Sequence, residues 1–349
     1  LTRIDSLKQK VNNRTDFLVF NQANIIYFCG FSGANALLIP QQGENMLYVS
    51  GVNYEQAKKE AKNATVVLIE RGENLFEKIA KQSTSKKFAV DTVSIESWHA
   101  LSKAVGGEEK LGSVENEIRS LRKIKDETEI QLIRKACKMA DLGVQKASEI
   151  VRPGIKEKEI ATEAEYAMRK AGSDGTAFDT IVASGYCCAY PHGTFQEKII
   201  ENGDFVVVDL GARYRFYSSD ITRTFVAGKA TDRQKQIFET VKLAQEKAIE
   251  SIKPGVEAKK VDMIARQVIK EAGFCDFFVH NLGHGVGLEV HELPILSPDS
   301  KDILDEGNVL TVEPGIYLPG FGGVRIEDTV VVTEDGAEKL TGAPYFSVK

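Results

Sequence analysis

Four carboxylates lie inside apolar, strand-like sequence, where an unpaired charge is costly. Asp209 ends the run FVVVD, and Asp220 follows in YSSDITRTF. Glu313 sits in NVLTVEPGIY and Glu327 in GGVRIEDTVVV. A turn around Arg213–Phe216 would pair the first two segments and could bring both aspartates to one face. Two carboxylates that close cannot both stay ionised without a positive charge between them. An aspartate bonding its own hairpin backbone is an equal reading of that pair. Arg223 or Arg325 could neutralise either glutamate. Even so, four ionised carboxylates carry a charge of −4, and four internal cations are not evident nearby. Two divalent cations would offset that charge. An oxygen-rich site suits Mn, Co or Mg, or Zn once a histidine joins it.

The chain has five histidines, and three of them fall in HNLGHGVGLEVH: His280, His284 and His291. His280 and His284 have helical spacing, but Gly283, Gly285 and Gly287 argue against a helix. Glycines there allow a close-packed strand or turn beside a ligand. A lone histidine is usually structural; three in a glycine-rich segment point to function. His192, in AYPHGT, follows a proline on an expected loop, and His99, in ESWHAL, is assigned no chemistry.

Elements must hold these groups. Across the first hundred residues, strand-length runs recur at Phe17–Phe20, Ala36–Ile39, Met46–Val49, Val66–Ile69 and Phe88–Val90. The run Asn24–Phe31 is also strand-sized. Helical spacing separates the runs, at Asn53–Lys62 and Leu75–Lys81, which predicts an α/β domain with an open sheet. No glycine-rich phosphate loop appears in it. The pattern breaks at GGEEKLG, so the domains are expected to be 1–112 and 113–349. A long helical region from about Glu115 to Glu149 follows.

The second part repeats itself. VRPGIKEKEIATEAEYAMRKAG (151–172) and IKPGVEAKKVDMIARQVIKEAG (252–273) share their Pro-Gly entry and their closing glycine at a constant offset. Two related halves are implied, with a site between them. Strands are expected at Thr176–Ser184, Asp204–Tyr214, Ser219–Val226, Val309–Tyr317 and Gly323–Thr333, in antiparallel hairpins.

Composition narrows the function classes. The 349 residues include 45 Lys+Arg and 50 Asp+Glu, a net charge of −5 that gives no global reason to bind nucleic acid or an anionic membrane. No apolar run approaches a membrane span. The N-terminal segment lacks a signal-peptide core, and since it begins at Leu1 an initiator residue or short leader is expected ahead of it. The five cysteines are scattered without zinc spacing, which fits free thiols in a cytoplasmic protein. The adjacent Cys187 and Cys188 read as small buried hydrophobes before they read as a redox pair.

These segments, taken together, resemble the pita-bread metallopeptidases, the superfamily of methionine aminopeptidase, aminopeptidase P and prolidase. IVASG–PHGT, VVVDLGARY, SSDITRTF, HNLGHGVGLEVHELP, TVEPGIY and GGVRIEDTVVVT occur in the family's order over about residues 178–333. Over residues 1–112 the likeness rests on length and pattern. The resemblance implies a creatinase/prolidase-type N-terminal α/β domain before an α+β pita-bread catalytic domain with a pseudo-two-fold internal repeat. It implies two divalent metals, with Mn the first choice and Co or Zn as alternatives. The ligands by resemblance are Asp209, Asp220, His284, Glu313 and Glu327, with Asp220 and Glu327 bridging and a water or hydroxide between the ions. His192, His280, His291, Tyr317 and Arg325 match substrate-pocket positions. Glu313 would relay a proton, His291 would steady the oxyanion, and His192 joins them as a catalytic residue.

The activity implied is cleavage of Xaa-Pro peptides, with Xaa-Pro dipeptidase preferred over an aminopeptidase P that takes longer peptides. A complete ligand set argues against a non-catalytic pita-bread binding module and against a metal-free creatinase-like hydrolase. Methionine aminopeptidase usually lacks the front domain. A homodimer is expected, with residues 1–112 restricting access to short peptides.

Overall fold

The computed structural model describes residues 2–11, 15–83, 85, 87–191, 193 and 197–345. It divides into two compact units, Leu1–Arg122 and Lys123–Lys349.

In the first unit the helices are α1 (Arg3–Val11), α2 (Gln22–Cys29), α3 (Gly51–Glu60), α4 (Leu75–Gln82), α5 (Ile95–Val105) and α6 (Glu115–Lys123). The strands are β1 (Asp16–Val19), β2 (Ala36–Ile39), β3 (Met46–Ser50), β4 (Thr65–Ile69), β5 (Phe88–Val90) and β6 (Leu111–Ser113). They form one mixed sheet in the order β4-β3-β2-β1-β5-β6. Leu18, Leu38, Tyr48, Phe88 and Leu101 fill its core. The five expected strands are present within a residue or so. The run Asn24–Phe31 differs, because most of it lies in α2. The Asn21 side chain accepts from the N–H groups of Ala23 and Asn24, and Gly30 closes the helix at φ +67°. Local capping at both ends outweighs the run's β-branched, aromatic character.

The units part ten residues beyond the expected 112/113 position. That position falls inside β6, which pairs with β5 through Phe88↔Leu111. The next helix, α6, also belongs to the first unit: Ile118 is buried, and Arg122 donates from Nη1 to Asn24 Oδ1 at 2.7 Å. The single helical region expected over Glu115–Glu149 is two helices. Asp126 caps the second, accepting from Glu129 N at 2.9 Å while Glu129 Oε2 accepts from Asp126 N at 3.0 Å.

In the second unit the helices are α7 (Glu127–Ile150), α8 (Glu157–Lys170), α9 (Asp232–Ser251) and α10 (Ala258–Glu271). After α8 come β7 (Gly175–Thr176), β8 (Ile181–Ser184), β9 (Phe205–Leu210), β10 (Ala212–Tyr214), β11 (Tyr217–Ser218) and β12 (Ile221–Val226). After α10 come β13 (Gly283–Gly285), β14 (Glu292–Leu296), β15 (Val309–Val312), β16 (Gly315–Leu318), β17 (Gly322–Arg325), β18 (Asp328–Val332) and β19 (Ala337–Lys339). The repeat is real in space. Each half is a helix, a Pro-Gly turn, a second helix and an antiparallel sheet, β12-β9-β8 in one half and β14-β13-β15-β18-β19 in the other. Val144, Ala147 and Ile160 pack on Val206 and Val208, whereas Val241, Ala244 and Val261 pack on Leu310 and Val330.

Four of the five expected strand runs are broken. The breaks come at 177–180, at Gly211, at Glu313–Pro314 and just before Asp328. Pro314 has no N–H for a ladder, and β15 and β16 pair in different sheets. Among the described residues, no helix is long and apolar enough to cross a membrane. All five cysteines are free, and all but Cys275 are buried. Burial pushes the Cys188 thiol up to about 12, and its Sγ lies 3.1 Å from Ala183 O as a hydrogen-bond donor.

Candidate active site

The strand ends and breaks are where the carboxylates converge. β9 and β12 are antiparallel, with Asp209 opposite Thr222. Between them lies the short β10–β11 hairpin, whose turn at Arg215–Phe216 has φ of +45° and +75°, the left-handed pair that suits a tight hairpin. Asp220 precedes β12 by one residue. β15 and β18 pair through Val312↔Asp328, so the flanking Glu313 and Glu327 are brought side by side. The two halves are stitched together here by Glu327 N, which donates to Thr222 O at 3.1 Å, while within the second half Glu313 N donates to Leu282 O at 2.8 Å.

His284 enters from β13, where a register shift next to it interrupts the pairing with β14. A Cβ at Gly283 would collide with the Thr311 carbonyl, and one at Gly285 with the Leu293 carbonyl. The glycines therefore let this strand press against its neighbours, as the sequence suggests. His284 N donates to Thr311 Oγ1 at 3.0 Å, and Nδ1 lies 3.1 Å from Gly285 O. With Nδ1 as the donor, Nε2 faces the carboxylates, 3.3 Å from Glu313 Oε1 and 3.7 Å from Asp220 Oδ2.

Ligating atoms of Asp220, His284 and Glu327 lie within 4.8 Å of one another. Burial, then the Glu327 and Asp209 charges, push Asp220 well above the usual carboxylate range. Glu327 is pushed well up as well, by burial and then by Glu313 and Asp209. Asp209 is raised by burial, with Arg325 pulling against the rise. Burial also works on Glu313, but the hydrogen bond and charge of His284 outweigh it and hold its carboxyl down at about 2. Asp209 Oδ2 accepts from Arg325 Nη2 at 2.6 Å, while its Oδ1 is buried with no partner among the described residues. Three clustered ligating groups, three carboxyls driven towards the neutral form and one orphaned oxygen mark a place built for cations. The donor set fits divalent metal ions.

Around this cluster is a cavity of about 500 Å³. Phe178, Ile181, Pro191, Val290 and Ile295 make its apolar wall, and His280, His291 and Arg325 also line it. His280 Nε2 lies 2.7 Å from the Tyr317 hydroxyl, and Nδ1 lies 2.7 Å from Asn281 O. Burial lowers the His280 pKa. Tyr317, pushed up to about 12 chiefly by burial, accepts from Arg325 Nη1 at 3.1 Å. The His291 ring lies against that of His284, centroids 4.3 Å apart. Nine of the ten expected site residues are thus brought together. The tenth, His192, lies outside the described residues.

Residues 131–334, more than half of the chain, match metallopeptidase family M24. The chain belongs to metallopeptidase family M24. Residues 3–124 match the Creatinase/Prolidase N-terminal domain. A relative from Pyrococcus furiosus, called Xaa-Pro dipeptidase, is 45% identical over 324 residues, covering 91% of this chain and 90% of its own. The crystal structure of the prolidase from Pyrococcus horikoshii OT3 superposes with a TM-score of 0.93 at 42% identity, covering 98% of both chains. The X-Pro aminopeptidase from Thermotoga maritima superposes at 0.89 with 38% identity, covering 97% of this chain and 98% of its own. As an M24 metallopeptidase, the chain is a hydrolase that works with divalent metal ions.

Sequence reading missed several groups in this M24 site. Thr222 donates to Glu327 Oε2 at 2.6 Å and accepts from Arg325 Nε at 3.2 Å. Thr311 donates to Glu313 Oε1 at 3.1 Å. Both sit on strands whose alternation reads as ordinary. Thr222 is marked only by its meeting with Glu327 from a distant strand, and Thr311 only by its hydroxyl's contact with Glu313 two residues on. The apolar wall was equally hidden, because Phe178 and Ile295 look like core residues.

Proposed function

We propose that this M24 chain is an Xaa-Pro dipeptidase with two divalent metal ions held by Asp209, Asp220, His284, Glu313 and Glu327. The observation that carries the reading is the convergence of these five side chains beneath an apolar-walled cavity. The names of the relatives support the choice of substrate. Bound there, the ions would supply Lewis acidity and make water a nucleophile at neutral pH.

The chain's own groups do the rest. The apolar wall takes the proline ring. A bond to proline is a tertiary amide with no N–H, so the site needs no backbone acceptor opposite it. Glu313 takes a proton from the attacking water and returns it to the leaving proline nitrogen. His291 donates towards the scissile carbonyl oxygen as negative charge develops there, and His192 is proposed as a further catalytic, substrate-binding residue. His280, Tyr317 and Arg325 form one relay of hydrogen bonds that steadies Asp209 and the substrate side of the pocket. Manganese is the proposed native metal, and the free thiols support a cytoplasmic setting.

A second reading, aminopeptidase P, is favoured by the likeness to the Thermotoga maritima enzyme. One assay separates them: Ala-Pro and Ala-Pro-Ala are offered to chelated protein reloaded with Mn. Rapid cleavage of the dipeptide with slow cleavage of the tripeptide is the expected outcome. Equal turnover of both would make aminopeptidase P the function.

A further inference from the structure

His280 reaches the cavity from residues 278–282, which have no regular secondary structure among the described residues. A functional side chain on a loop is only as well aimed as the groups that grip that loop. Here the grip comes from α10. Arg266 donates from Nη1 to Phe278 O at 3.0 Å and from Nη2 to His280 O at 2.5 Å. Its guanidinium lies over the Phe278 ring, 4.2 Å from the centroid. Asp262, one turn earlier and fully buried, accepts from Arg266 Nε at 2.6 Å. The same carboxylate accepts from Leu282 N at 3.1 Å. One ion pair therefore holds the backbone before, at and after His280. The Phe278 ring then stands edge-on to the imidazole, centroids 5.1 Å apart and planes at 89°. On its other side the imidazole meets the Tyr317 hydroxyl.

We infer that Asp262 and Arg266 are positioning residues that aim His280 at Tyr317, and through it order the Tyr317–Arg325–Asp209 relay. The inference rests on the peptidase reading above. The internal repeat offers a control within the chain. The positions equivalent to 262 and 266 in the first half are Ala161 and Glu165. A pair needed only to dock a helix on its sheet would serve both halves alike, whereas this one exists only in the half that carries His280. A buried aspartate is also a costly way to fasten a loop unless the aim matters. Arginine suits the task because its planar fork makes four hydrogen bonds at once, two to the Asp262 carboxylate and two to backbone carbonyls, more than the three donors of an ammonium allow.

The test uses manganese-loaded protein for Ala-Pro hydrolysis and zinc-loaded protein, whose d¹⁰ ion is diamagnetic, for the long-range ¹H–¹⁵N spectrum of the histidine rings. Arg266→Gln should keep both metals and lose about 10–100-fold in kcat/KM, the usual range for a supporting residue. The His280 ring nitrogens should shift from their hydrogen-bonded positions. Arg266→Lys should recover little. The double variant His280→Ala/Arg266→Gln should be no slower than His280→Ala alone, because both losses act through one ring. Losses that multiply, or a His280 spectrum unchanged in Arg266→Gln, would overturn the inference. If Arg266→Gln does not fold, Arg266→Lys carries the same spectral test. Failure of the wild type to cleave Ala-Pro would instead count against the peptidase reading, and the spectra would still decide the role of Arg266.

Discussion

At the scale of single residues, the site works by cancelling charge. Asp220 and Glu327 are buried beside other carboxylates, so each favours its neutral form until cations arrive. An amide at Asp220 would remove one of the four carboxylate charges while keeping the shape. Asp220→Asn should therefore lower metal content and activity together, activity by at least about 100-fold given that outer supporting groups alone cost 10–100-fold. Metal analysis beside a rate assay reads both, and full occupancy with normal turnover would contradict the assignment. His291 belongs to a different group. Its ring lies tilted against that of His284 but is itself exposed at the cavity. His291→Ala should retain both metals and lose roughly 10²–10³ in kcat, as removal of an oxyanion donor does; His192→Ala, assigned to the substrate, should likewise keep both metals and lose turnover. Loss of metal from either variant would move that residue into the ligand set.

At the scale of elements, local capping and long-range anchoring work together in the first unit. The Asp91 carboxylate, just beyond β5, accepts from the N–H groups of Phe20 and Asn21 at 2.8 and 3.0 Å. It also accepts from Asn24 Nδ2 at 3.0 Å, tying β5 to the start of α2. Burial, reinforced by Glu115, outweighs those donors and raises its pKa from 3.8 to about 6. A carboxyl whose folded pKa is raised holds its proton more tightly in the native state. The stability linked to that proton is present at low pH and lost as pH rises through about 4 to 6. The change is on the order of 2–3 kcal/mol. Trp98, the one tryptophan, lies in α5 and reports unfolding of this unit. Denaturation followed by its fluorescence should show the wild type losing stability over that window relative to Asp91→Asn. A wild type that gains stability against the variant there would refute the assignment.

For the whole molecule, metal and assembly are the levers. Ions that bind only the folded state add stability by mass action, about 2.7 kcal/mol per site at a hundredfold excess over Kd. Exhaustive chelation should therefore abolish hydrolysis and lower the melting temperature, and Mn should restore both. Full activity at near-zero metal content would end the binuclear reading. We also expect a homodimer in which residues 1–112 limit the substrate to short peptides. Light scattering measures the first, and turnover against peptide length the second. A fully active monomer would remove the dimer, and equal rates on longer peptides would remove the restriction.

Much of this was legible before any coordinates, for a physical reason. Strand runs and the Pro-Gly repeat with its closing glycine are written within a few neighbouring residues, where hydrophobic period and local hydrogen bonds decide. The residue types of the site are legible too, since charges in apolar runs need an explanation. Only the tertiary structure decided how they meet. Asp209 and Arg325 are far apart in the chain, yet they share a 2.6 Å ion pair. That pairing depends on the register of β9 against β12 and on where β15 and β17 stop. Thr222 shows the same limit: its own segment reads as plain strand, and its role comes from Arg325 and Glu327 where β17 ends before β18. The Asn24–Phe31 run fails in the other direction, because Asn21 and Gly30 cap a helix that the run's own residues do not announce. Element type follows from local chemistry. The convergence that makes a site follows from strand breaks and register, which the packing of the two repeated halves sets across long separations in sequence.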